Sequence, residues 1–182
     1  MQRVTDIGTS RIWARRVSFA ALVLLVIFFN LLPLQTLPRS WAGPDLLMAF
    51  AFAWVVRRPE FVPPLLLGGL FLLADLLLQR PPGLWALLMV LACERLRGQS
   101  RSLRDATLTT EFLAVGSMII VVSIGYRFLL ALFMLDLPPL GLALSQLGMT
   151  LVFYPLTVFL THALLGVRKA TPGDYDSKGQ AL

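Results

Sequence analysis

Residues 44–83 read PDLLMAFAFAWVVRRPEFVPPLLLGGLFLLADLLLQRPPG. Two apolar runs are joined by a tight basic turn at Arg57, Arg58 and Pro59. Each run carries one acid: Asp45 opens the first and Asp75 sits late in the second. A carboxylate inside an apolar run costs about 2.5–3.5 kcal/mol on insertion scales, so it faces protein or water rather than lipid. The stretch therefore reads as a helical hairpin of a small membrane protein, with both acids near its outer side.

The rest of the chain agrees with that class. Of 182 residues, 57% are hydrophobic and 14% charged, and the mean hydropathy is +0.77. Soluble domains carry about a quarter charged residues, so an all-α integral membrane protein of one domain is expected. The net charge of +6, from 16 basic and 10 acidic residues, fits cytoplasmic loop charge better than nucleic-acid binding. Cys93 stands alone in an apolar run, which excludes an internal disulfide or a thiolate metal cluster and leaves packing as its role. No small-residue cleavage site follows a short apolar core at the amino terminus, so no signal peptide is expected.

Six transmembrane helices follow from the apolar runs. The first runs from Val17 to Leu34, the second from about Trp41 or Pro44 to Val56, and the third from Phe61 to Leu78. The fourth runs from Gly83 to Leu96, the fifth from Phe112 to Leu135, and the sixth from Leu140 to Val167. The second and fourth are short for a hydrocarbon core of about 30 Å. Pro155 should kink the sixth. The basic stretch RLRGQSRSLRDATLTTE makes the longest polar connection. Residues 1–14 form a cytoplasmic amino-terminal segment, 15–168 the membrane domain, and 169–182 a disordered cytoplasmic tail. With the amino terminus inside, 13 of the 16 bases fall on inner segments, only Arg39 and Arg80 on outer loops, and Arg127 within a span. Both termini are accordingly expected to be cytoplasmic. Trp13, Trp41, Trp54 and Trp85 fall near span ends, where amphipathic rings prefer to sit.

Polar groups inside the spans are the candidate functional residues. Asp75 lies about fourteen residues, and Arg127 about fifteen, from the inner ends of their spans, or roughly 21–23 Å. Similar depth makes an Asp75–Arg127 ion pair the expected contact, with Asp45 as the competing acid. Such a pair either fixes helix register or serves transport. Gly68 with Asp75, and Gly116 and Ser123 with Arg127, share helix faces that let backbones approach. Gln146, Thr150, Tyr154, Thr157 and Thr161 form a polar stripe on the sixth span. It serves either hydrogen bonding inside the bundle or a groove for a partner's transmembrane helix. His162 beside it reads as an interfacial hydrogen-bonder, and Glu94 with Arg95 as a headgroup-level pair. No nucleophile elbow, paired-aspartate motif, histidine cluster or phosphate-binding glycine loop is present, so neither catalysis nor a cofactor is expected.

The run GGLFLLADLLLQRPPGLWAL, together with Pro44-Asp45 opening a short apolar span before a basic inner turn, resembles the rod shape-determining protein MreD family. The likeness covers roughly residues 41–97. Pro44, Asp45, Asp75 and Gly83 match its pattern, while Pro-Pro-Gly at 81–83 stands where many relatives have Pro-Leu-Gly. The resemblance implies a fold like the substrate-binding subunits of energy-coupling-factor transporters. It also implies a noncatalytic scaffold of the bacterial inner membrane that serves peptidoglycan synthesis and cell shape. The implied partners are MreC, through it RodA and a class B penicillin-binding protein, and MreB on the cytoplasmic side. The alternative is a small-molecule-binding subunit of a vitamin-type transporter.

Overall fold

The computed structural model describes residues 2–32, 41–104 and 107–165. Among the described residues all regular structure is helical. The helices are α1 (Gln2–Leu31), α2 (Leu46–Arg57), α3 (Pro64–Leu77), α4 (Leu84–Arg104), α5 (Leu108–Leu132) and α6 (Leu140–Leu165), with a 3-10 turn at Pro59–Phe61. The expected tail at 169–182 and Arg39 lie outside the described residues.

Three stretches are long and apolar enough to cross a membrane: Ile12–Leu31, Leu108–Leu132 and Leu140–Ala163. Their outer faces carry exposed large apolar residues, among them Leu24 and Phe28, Ile124 and Phe128, Val152 and Leu156. A water-soluble fold would bury such faces; a lipid-solvated one has no reason to. The described residues are thus all-helical, with three stretches that fit a membrane protein. By contrast, α2 has 12 residues and α3 has 14, or about 18 and 21 Å at 1.5 Å per residue.

The short α2 is the axis of the bundle. Every residue from Leu47 to Arg57 is buried, with α1, α4 and α6 packed around it. A helix enclosed on all sides must be apolar on all sides, which LLMAFAFAWVV satisfies. It ends at Arg57 because Pro59 disfavours helical backbone in the residue before it. Helix α3 starts at Pro64, where a missing N–H costs no bond, and packs on α4 and α1; α5 packs on α4 and α6.

Several boundaries differ from the sequence expectation. Helix α1 is continuous from Gln2, well before Val17. Helix α4 runs to Arg104, so most of the basic stretch is helix rather than loop. Met89, Cys93, Leu96, Ser100 and Leu103 are all buried. Their steps of four and three carry one packed stripe through the arginines. Helix α5 starts at Leu108, four residues before Phe112, because Thr107 caps it by accepting from Thr110 N–H. That start puts Glu111 in the first turn of α5.

Hydrogen bonds between elements align the ends of the bundle. At the arginine-rich end, Arg16 Nε donates to the Glu60 carbonyl, Arg97 Nη2 donates to the Val62 carbonyl, and Arg57 meets Glu111. At the far end, Asp45 N–H donates to Thr150 Oγ1 at 2.9 Å. Thr150 lies ten residues along α6 from Leu140, or about 15 Å. Helix α2 therefore begins deep within the bundle and leaves a space above its first turn.

Candidate functional site

The two aspartates at the far end are helix caps. Asp45 is the N-cap of α2, and its Oδ1 accepts from Met48 N–H at 3.0 Å. Asp75 is fully buried. From the end of α3 its Oδ2 accepts from Gly83 N–H at 3.0 Å and Ala86 N–H at 3.1 Å. Those groups open α4, whose first donors have no intrahelical acceptor. A carboxylate there satisfies orphan N–H groups and sits at the positive end of the helix dipole. Each charge-assisted bond is worth about 1.5–3 kcal/mol, which offsets the cost of an acid in an apolar span. Gly83 holds φ +82°, a left-handed conformation that glycine adopts without penalty; this turns the chain back so that its N–H faces Asp75.

The expected Asp75–Arg127 ion pair is not formed. Equal depth along two helices fixes height but not direction around the helix, and α4 supplies Asp75 with nearer donors. Arg127 Nη1 instead donates to the Pro138 carbonyl at 2.8 Å. Asp45 does not pair with Arg127 either; its Oδ2 faces Arg80 Nη2 at 3.8 Å. The Arg80 guanidinium also lies 5.2 Å over the Trp85 ring, which meets Tyr126 edge-on at 4.9 Å. Above the first turn of α2, Asp45, Arg80, Trp85, Ser123, Arg127 and Gln146 share the wall of a cavity of about 420 Å³.

At the arginine-rich end the structure assembles a group that sequence reasoning missed. Arg57 Nη2 and Tyr154 OH both approach Glu111 Oε1 at 3.4 Å, and all three residues are buried. The cluster ties α2, α5 and α6 together. Its signal in the sequence was a base and an acid flanking apolar runs, at Arg57 and Glu111. The cluster forms the floor of a groove of about 560 Å³ between α5 and α6, with Leu108, Phe112, Pro155, Val158 and Phe159 on its walls and His162 at its rim.

The polar stripe of α6 faces inward. Thr150, Tyr154, Thr157 and Thr161 are buried, and of these Tyr154 also lines the floor of the groove between α5 and α6. Thr150 Oγ1 serves Asp45, while Thr157 and Thr161 donate to the carbonyls of Tyr154 and Val158 on their own helix. Gln146 turns to the far-end cavity. Gly68 faces α4 and Gly116 faces α6, but a Cβ would meet Val90 at 3.5 Å and Leu151 at 3.4 Å, ordinary van der Waals distances, so neither approach depends on glycine. Trp54 and Trp85 are buried, Trp54 tilted against Phe19 and Trp85 edge-on to Tyr126, whereas Trp13 and Trp41 are exposed. Glu94 pairs with Arg97 at 3.0 Å rather than with Arg95, because neighbours three apart on a helix face each other and adjacent ones do not.

Among the described residues no group of three or more His, Cys, Asp or Glu is placed to hold a metal ion. Comparisons with family models, with curated proteins and with solved structures give no match.

Proposed function

We propose that this chain is a noncatalytic, MreD-like scaffold of the bacterial elongation complex, and that its lateral groove docks the single transmembrane helix of MreC. The groove carries the reading. It lies between α5 and α6, which both have lipid-length apolar stretches, and its walls are apolar and aromatic. Phe159 is 66% exposed and Leu108 is 70% exposed. An apolar cleft between two spanning helices fits the side-chain knobs of a third helix passing in the same bilayer. Under this reading the chain has six spans in the inner membrane with both termini cytoplasmic. MreC would connect it to RodA and a class B penicillin-binding protein, and MreB would lie below.

The alternative, a small-molecule-binding subunit of a vitamin-type transporter, draws support from the polar far-end cavity. One experiment separates the two. A photocrosslinking amino acid is placed at Phe159 or Val158 in the groove and, as a control, at Leu25 on α1, which is 51% exposed. The scaffold reading expects an MreC adduct from the groove positions and none from Leu25. Adducts absent from all three positions, with an ATPase module copurifying instead, would overturn it in favour of the transporter subunit.

A further inference from the structure

The far-end cavity has an unbalanced wall. Two guanidiniums and one carboxylate line it, and the carboxylate is already engaged. Asp45 Oδ1 is held by Met48 N–H and Oδ2 faces Arg80. Of the other acids nearby, Asp75 is turned to the amides that open α4, and Asp136 is exposed in the turn after α5, outside the cavity wall. Arg127 spends one of its five N–H donors on a neutral carbonyl, and among the described residues it forms no ion pair. A guanidinium on a spanning helix without a counter-charge is costly. The uncommitted capacity of the wall is thus cationic and hydrogen-bond-donating, with the Gln146 amide and Ser123 hydroxyl beside it.

Depth narrows the chemistry. Arg127 lies five residues from Leu132, the end of α5, or about 7.5 Å from that end. That is close to where hydrocarbon gives way to headgroups, since the polar regions add roughly 5–7 Å on each side of the core. Guanidinium forks match phosphate oxygens in geometry as well as charge. A cavity of about 420 Å³ lies within the common range for small-ligand clefts, about 300–1,000 Å³.

We infer that the far-end cavity binds a phosphate-class anion through Arg127 and Arg80, supplied either by the headgroup of an anionic lipid or by a soluble phosphate ester. This goes beyond the scaffold reading and does not rest on it, because the cavity and the groove lie at opposite ends of the bundle.

The test uses the full chain purified in detergent. Native mass spectrometry compares adducts of phosphatidylglycerol with those of phosphatidylcholine carrying the same acyl chains. Tryptophan fluorescence, to which Trp85 in the wall contributes as one of four tryptophans, follows titration with sn-glycerol 3-phosphate. The expected result is retention of phosphatidylglycerol over phosphatidylcholine, or a saturating response to the soluble ester. Arg127→Gln lowers that affinity about tenfold or more, the loss of a charged hydrogen bond, and Arg80→Gln lowers it in the same direction. Arg95→Gln, an exposed base on α4 at the other end, leaves it unchanged. A lipid-only response identifies the headgroup as the source, and an ester-only response a soluble ligand. If Arg127→Gln fails to fold, Gln146→Leu, which removes one neutral donor from the wall, takes its place with a smaller loss. The inference is overturned if neither probe binds, if both lipids are retained equally and the ester gives no saturating response, or if the cavity variants bind as the wild type does.

Discussion

Asp75 shows how one residue reconciles an acid with an apolar span. Its carboxylate completes another helix, taking two N–H groups at the start of α4, and those donors would otherwise be buried and unmet. Asp75→Ala is expected to lower stability by about 2–4 kcal/mol, because it removes the charge and orphans both donors. Asp75→Asn should lose less, since an amide oxygen still accepts. Denaturant titration in mixed micelles measures both. The capping role also makes a distinctive statement about Arg127. In a double-mutant cycle, Asp75→Ala and Arg127→Ala should add to within about 0.5 kcal/mol; a larger coupling energy would restore the ion pair in place of the cap. The sequence made Asp75 conspicuous but hid its partner, because a backbone N–H has no letter. The cue was present in Gly83, whose position eight residues on marks a turn that returns the chain to the aspartate.

Among the elements, the informative failure concerns α4 and α5. Arginines at 95, 97, 101 and 104 read as a polar loop, yet the buried stripe from Met89 to Leu103 runs straight through them. Charge count outweighed periodicity in the reading, and periodicity decided the structure. The correction has consequences, since the early start of α5 brings Glu111 against Arg57 and Tyr154 and so pins α2 to α5 and α6. Glu111→Leu alone leaves the buried Arg57 without its opposite charge and is expected to cost about 3–5 kcal/mol, while Arg57→Met removes one partner of Glu111 and should cost less. The double variant replaces the pair with apolar volume and should recover most of that loss, as a rise in melting temperature relative to either single variant. Equal stability of the double and the worse single variant would show that the two charges do not act on each other. The short α2 was legible from its length, and its all-round burial from the absence of a polar face between Leu46 and Val56.

At the scale of the whole molecule, the question is how helices of 12 and 14 residues share a slab with spans of 20 to 25. Helix α2 is wrapped by protein and need not match the bilayer; its late start under Thr150 is what makes room for the far-end cavity. Bonds at the arginine-rich end hold Arg16 of α1, the Pro59–Phe61 turn, α4 and the start of α5 together. Six crossings follow if the ends so aligned are all on one side of the membrane. Parity makes this testable. If only the three long stretches crossed, with the amino terminus inside, α2 to α4 would lie outside and the turn after α5 inside. Six crossings reverse both assignments. Cys93 is buried on α4, so a Cys93→Ala background leaves a thiol-free chain into which Met134→Cys or Arg95→Cys is introduced. Met134 is 94% exposed in the turn after α5, and Arg95 is exposed on α4. A membrane-impermeant maleimide applied to intact cells should modify Met134→Cys at once and Arg95→Cys only after permeabilisation. The opposite pattern would leave three crossings, put the arginine-rich end outside, and break the charge bias that orients membrane proteins. The short helices would then be an external cap rather than the centre of a bundle.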